Sequence, residues 1–336
     1  MSNLGVTSSG TSSFMTGRAS SSFPLNKYSE GATGISEMDL AMAAEWNLLK
    51  GALSPQEFTN VVRLRELVRH LDSHPACSSQ PFSQRAVTLL RYLRARDQDT
   101  RAAAAMLASA LDWRMDFELD SKLEVWRLEW SEGRSPRAVL LKKYNFLGLL
   151  GEDLQGLPAS VTRFSQGDLG GLARELGYDL LLLHVLSFYE HQTEEAQEKM
   201  LSTGRLLYSF VEVIDLGNYG LVPRWFPRAV SGLSVMKWMA PVLELVYPER
   251  ARAVFFIRPP RAFSLLWPVV QPVIPRNTRN KIHMGGLKAC SWIRELEALL
   301  PPSSIPGWLK SDEQSSFAHA LPCGGLVPQR ALLQAL

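Results

Sequence analysis

Few residues in this 336-residue chain stand in patterns that carry chemistry. His70 and His74 have the spacing at which two imidazoles on one helix face share a metal ion, but Pro75 follows at once and no metal site is read there. Glu190, His191, Glu194 and Glu195 crowd one stretch of helical pattern. They read as a solvated charged surface rather than an acid–base pair. Asp215 closes a β-branched run, where α/β enzymes place catalytic acids, yet no nucleophile or base accompanies it. A turn or cap role is expected for it. GxSxG elbows, P-loops and a GxGxxG after a strand do not occur. Cys77, Cys290 and Cys323 lie far apart without a CxxC, which suits reduced thiols rather than disulfides or a zinc knuckle. The expectation is no enzyme: no catalytic residue, no metal and no cofactor.

The more informative segment is apolar. Residues 263–274 carry Phe263, Leu265, Leu266, Trp267, Val269, Val270, Val273 and Ile274, hydrophobic nearly all round, with Pro268 and Pro272 inside. A helix apolar on every side is buried or lies against lipid. Pro272 implies a kink or early stop, and Pro259, Pro260 and Pro275 stiffen both ends, as in a hinged flap. The run is too short to span a bilayer.

The surrounding composition supports a globular frame. Hydrophobic residues make up 46% of the chain and charged residues 21%, and the net charge of +3 comes without long basic clusters, which argues against a nucleic-acid partner. Residues 1–36 are Ser-, Thr- and Gly-rich, with Arg18 and Lys27 and no acid before Glu30. They read as a disordered tail, with an organelle transit peptide as the alternative.

Helical pattern fills residues 37–135. Ala86, Leu89, Leu90 and Leu93 share one face of a helix with Ser83 as its expected N-cap; a second helix starts near Arg101. After Ser135 strands and helices alternate. Residues 160–164 and FVEVIDL at 210–216 read as strands, 169–200 as one helix, 230–246 as a helix bent or started at Pro241, and AVFFI at 253–257 as a buried strand. This order gives an α/β domain with a mostly parallel sheet over 136–310, behind a small all-α unit at 37–135. Residues 311–336 read as a C-terminal tail.

Four segments in order resemble one family: LLRYLRAR at 89–96 followed by Trp113 and Arg114, VEVIDL at 211–216, YPERARAVFFIRPPRAF at 247–263, and WPVVQPVIPRNTRNKIH at 267–283. DLQGLP at 153–158 adds a fainter match. Together they resemble the CRAL-TRIO family, in particular its yeast secretory branch of phosphatidylinositol/phosphatidylcholine transfer proteins. The resemblance implies a lipid-binding fold with a gate helix and a bound phospholipid in place of a cofactor. The family's phosphatidylinositol headgroup residues fall on Arg96, Glu249, Thr278 and Lys281. Phe263, Leu266, Trp267, Val270 and Ile274 become the gate that meets a membrane, and Val213, Leu216, Phe255 and Ile257 the expected pocket lining. The choline side departs from the family, with Asn218, Gly220 and Val222 after Asp215, so a second lipid stays open. Implied partners are phosphatidylinositol and, transiently, a membrane surface. A cytoplasmic, peripherally membrane-associated monomer is expected. The alternatives are a carrier of another hydrophobic ligand, such as a tocopherol, retinoid or sterol-like molecule, and a non-enzymatic interaction module.

Overall fold

The computed structural model describes residues 37–77, 84–144, 147–163, 168–216, 222–259, 263–274, 276–286 and 291–310. The two expected tails, the Ser83 cap and the positions Asn218 and Gly220 lie outside them.

Helices come first: α1 (Glu37–Ala52), α2 (Pro55–Val68), α3 (Ala86–Ala95), α4 (Thr100–Asp116), α5 (Leu119–Glu132) and α6 (Pro136–Tyr144). Ser54 caps α2 through the Glu57 amide, and Asp99 caps α4 through the amides of Arg101 and Ala102. Helix α3 begins two residues later than Ser83 would place it; its N-cap position is Arg85, which makes no side-chain cap. Its expected apolar face is fully buried, with Ala86, Leu89, Leu90 and Leu93 in a core shared with α1, α2 and α4. The α5 residues Leu119, Leu123 and Trp126 instead join a core made by later helices, so the helical unit and the sheet domain are packed as one body.

The sheet has five strands in sequence order: β1 (Leu147–Glu152), β2 (Pro158–Arg163), β3 (Phe210–Asp215), β4 (Ala251–Ile257) and β5 (Ile282–Met284). Only β1 with β2 is antiparallel; the other three pairs are parallel. The crossovers are α7 (Leu169–Leu176) with α8 (Tyr178–Thr203), then α9 (Val222–Val246), then α10 (Phe263–Val270) with α11 (Arg276–Arg279); α12 (Ile293–Glu297) and α13 (Gly307–Lys310) follow.

Several expectations shift. The single helix over 169–200 is two, because Gly177 sits at φ 83°, where a side chain is strained. Helix α9 is longer than expected, running through Pro241 without a break. Helix α10 starts at Phe263 and stops before Pro272, giving way to a 3-10 turn over Gln271–Val273. Asp215 is an ion-pair anchor: Arg258 Nε donates to its Oδ1 at 3.1 Å, and Arg163 Nε is 3.9 Å away.

The charged surface read at residues 190–195 is only partly one. His191 pairs with Glu195 along the helix, and Glu194 pairs with Arg127. Glu190, however, is buried at 3% exposure, accepting from Arg114 Nη2 at 3.0 Å and from the Tyr247 hydroxyl. Arg114 also holds Asp120 at 2.6 Å. Burial works against ionising Glu190, but Arg114 and Tyr247 outweigh it and keep its pKa below the usual carboxylate value. This network ties α4 and α5 to α8 and the end of α9.

Six residues before Glu190 on α8, His184 is buried between Trp126 and Trp130, with ring centroids 5.9 and 4.7 Å away and no partner on Nε2 among the described residues. Burial pushes its pKa down to about 4. The unfolded chain takes up this proton near pH 6.5, while the folded protein refuses it until about pH 4, so stability is lost as pH falls through that window. The full effect is on the order of 3 kcal/mol. Urea unfolding of His184→Phe should show a clearly smaller loss than the parent between neutral and mildly acid pH; equal losses would refute a buried neutral imidazole. Gly177→Ala, forced into the left-handed region, should lower stability by about 1–2 kcal/mol in the same measurement.

Candidate functional site

The four residues singled out from the headgroup pattern come from three places in the chain, and α3 gathers them. Its Arg91 Nε donates to the Pro248 carbonyl at 2.8 Å, and its Tyr92 hydroxyl donates to the Leu245 carbonyl at 2.9 Å. Burial, with Arg250 nearby, pulls the Arg91 pKa down to about 10, which leaves it charged at neutral pH. These bonds fasten the turn between α9 and β4, which carries Glu249, against α3. Further along α3, the Arg94 carbonyl accepts from Asn277 Nδ2 at 3.1 Å and so docks α11, with Thr278 beside Asn277.

Glu249 has a left-handed backbone, φ 55°, as do Asp97 and Gln98 just after Arg96. Strain of this kind persists only where the surroundings over-determine it, and it gathers at binding sites. The Glu249 carboxylate meets Lys281 Nζ at 2.8 Å. Lys281 is fixed by its backbone: its N–H donates to the Thr278 carbonyl at 3.0 Å, and its carbonyl accepts from Val254 N–H at 2.9 Å. Arg96, the C-cap residue of α3, points Nη1 to within 3.9 Å of Glu244 on α9. At 37% side-chain exposure for Arg96 and 29% for Lys281, both cations remain reachable from outside.

Sequence reasoning missed the residues behind this corner. Arg94 grips Glu57 of α2 with Nε at 2.8 Å and Nη2 at 3.1 Å, and it also donates to the Tyr208 hydroxyl. The Arg94 hydrogen bonds hold the Glu57 carboxyl below its usual pKa, and burial raises the Tyr208 phenol. Arg94 stood in the quoted LLRYLRAR run, so its proximity to Arg96 was a usable signal; Glu57 and Tyr208 had none.

Helix α10 lies on the sheet through aromatic contacts. Phe256 of β4 meets Phe263 at 6.1 Å and Trp267 edge-on at 5.7 Å, and Ile274 joins the same apolar cluster. Val270 is half-buried, and Pro268 and Val269 face outward. Leu266 lies within α10, and its side chain is outside the described residues.

The expected pocket lining needs correcting. Leu216 does lie on the α10 side, with Val254 and Phe256. Val213, Phe255 and Ile257 point to the opposite face, into a core with Trp292, Leu296, Leu300, Ile305 and Leu309. Alternate strand residues face opposite ways, so the α10 face presents the other parity: Thr162, Glu212, Ile214, Val254 and Phe256. His283 of β5 stacks on Phe255 at 4.6 Å and pairs with Glu295, closing the far face with α12. His74, the other early metal candidate, is taken up by Asp112 and by the Ala76 amide, and no group of three or more metal-ligating side chains occurs among the described residues.

A family model agrees with this architecture. The model of the CRAL/TRIO domain matches residues 142–309. The chain is 30% identical over 280 residues to "Protein real-time" of Aedes aegypti, covering 83% of this chain and 40% of that one. It is 30% identical over 284 residues to "CRAL-TRIO domain-containing protein T23G5.2" of Caenorhabditis elegans, covering 84% and 36%. It thus spans two fifths or less of the length of these relatives. A solved structure, "Crystal structure of Sfh5", overlaps with a TM-score of 0.41 at 14% identity, over 69% of this chain and 80% of that one. With the family model covering the whole sheet and its crossovers, this chain belongs to the CRAL/TRIO domain family and carries that family's lipid-binding domain.

Proposed function

We infer that this protein binds phosphatidylinositol at the Arg96–Glu249–Thr278–Lys281 corner and carries it between membranes, with α10 as the gate and no catalytic step. The observation that carries this reading is the Lys281–Glu249 ion pair, part-exposed and held on the same α3-anchored scaffold as Arg96 and Thr278. Glu249 neutralises Lys281. A phosphodiester would replace that carboxylate, taking charge-assisted bonds from Lys281 and Arg96 and a hydroxyl from Thr278. Glu249 would then be free to accept from inositol hydroxyls. The finer likeness to the yeast secretory branch belongs to this reading, as does transient work at a cytoplasmic membrane surface by a monomer.

Carriage sets the energetic requirement. Each exposed methylene costs about 0.8 kcal/mol, so a diacyl lipid with about thirty would cost roughly 24 kcal/mol in open water. Only an enclosed apolar space offsets that. The part-accessible Ile214 and Thr162 on the α10 face support such a space, because both sit within the sheet beneath a gate rather than at its rim. Helix α10 suits a gate. Pro268 removes one backbone donor inside it, and Trp267 has the amphipathic ring favoured at a membrane surface.

Vesicle-to-vesicle transfer of labelled phosphatidylinositol tests the assignment. Arg96→Ala and Lys281→Ala should each lose about tenfold or more, the value of one charge-assisted hydrogen bond, with melting temperatures close to the parent's. Unchanged transfer in both variants would remove the headgroup assignment. Trp267→Ala should slow transfer while leaving equilibrium binding of phosphatidylinositol near the parent level.

A further inference from the structure

Backbone groups taken out of water are almost always paired, so a buried residue with neither its amide nor its carbonyl engaged marks a place where something else supplies the bonds. Leu207 is such a residue. It lies between the end of α8 and the start of β3, is 3% exposed, and makes no backbone hydrogen bond among the described residues. The same holds for the backbones of Arg205 and Leu206. Pairing resumes at Phe210, whose N–H donates to the Arg250 carbonyl at 2.8 Å. Arg205, Leu206 and Leu207 form one wall of a cleft of about 470 Å³ that opens to solvent. Asn47, Leu48 and Gly51 from the end of α1 line it too, as does Gln155 from the turn between β1 and β2. None of these residues belongs to the Arg96–Lys281 corner or to the α10 face of the sheet.

The cleft has one sign of charge. No acid lines it. Arg205 is exposed, as is Lys50 next to Gly51, and neither has an ion pair among the described residues. The side-chain amides of Asn47 and Gln155 are likewise without a hydrogen bond there. Leu48 and Leu206 are half-buried and give the cleft an apolar part. Above Gly51 the space is open: no atom lies within 4 Å of the point where a side chain would begin. We propose that this cleft docks a short acidic peptide segment of a partner protein. The segment lies along Arg205–Leu207 and exchanges main-chain hydrogen bonds with that backbone. It sets a carboxylate against Arg205 and an apolar side chain over Leu48 and Leu206. Binding of this kind draws affinity from the main chain and specificity from alternate side chains. The volume sits near the low end of the usual range for ligand pockets, which suits a few residues rather than a folded domain. A nucleic acid would need a longer run of cations than Lys50 and Arg205.

The test is fluorescence anisotropy of the full chain with a fluorescein-labelled hexapeptide of alternating aspartate and leucine, compared with its lysine–leucine counterpart. Low salt keeps the surface charges unscreened. The acidic peptide should bind saturably and about tenfold or more tighter than the basic one. Arg205→Glu should weaken it about tenfold or more, the effect of one charge-assisted contact. Gly51→Trp, which fills the cleft from a helical position with open space above it, should weaken it at least as much. Both variants should melt at the parent's temperature and leave phosphatidylinositol transfer unchanged, because neither residue touches the headgroup corner. Hydrogen exchange should find the amides of Arg205, Leu206 and Leu207 slowed by the acidic peptide. No saturable binding, equal affinity for the two peptides, or undiminished binding by Gly51→Trp would each overturn the proposal. So would binding that leaves those three amides exchanging as before, since it would show a charge contact without backbone pairing.

Discussion

Everything at the candidate site depends on how α3 is fastened to the turn between α9 and β4. Arg91 and Tyr92 reach across more than 150 residues of sequence to carbonyls at Pro248 and Leu245. That grip sets Arg96 beside α9, gives Asn277 a carbonyl to dock on, and holds Glu249 in a backbone conformation it would not choose alone. The buried Arg91 guanidinium gives its Nε–H to a backbone acceptor, while its Nη2 has no hydrogen-bond partner among the described residues. The helical N-terminal region is therefore one wall of the Arg96–Lys281 corner. The Arg114–Glu190–Tyr247 network, from the next helix, makes a second tie to the same turn, since Tyr247 and Pro248 are adjacent.

The two faces of the sheet divide the labour. The α12 face is filled solid, with Trp292 and Leu296 against Val213 and Phe255. On the α10 face Phe256 meets Phe263 and Trp267, contacts between side chains rather than backbone hydrogen bonds of the sheet.

Much of this was readable from the residues. The apolar run with its two prolines foretold helix α10 and its stop before Pro272, and the β-branched runs foretold β3 and β4, because period and composition are local properties. What failed depended on partners far away. Strand β5 is three residues, IHM, with no alternation to detect, and exists through pairing with β4. The pocket lining was assigned to the wrong face because a period of two shows that a strand has two faces without saying which one meets the ligand; the C-terminal helices that fill the Val213 face lie beyond the strands themselves. Glu190 looked solvated among its acidic neighbours, and its counterion, Arg114, lies 76 residues upstream. Glu57 and Tyr208 support Arg94 from other elements altogether.

The central claim is that a phosphoinositide headgroup fits the α3-anchored corner. The most direct measurement is native mass spectrometry of the purified full chain with the copurifying lipid extracted and identified. The account predicts phosphatidylinositol among the bound lipids at one molecule per chain. Bound lipid lacking any inositol phosphate head would contradict it.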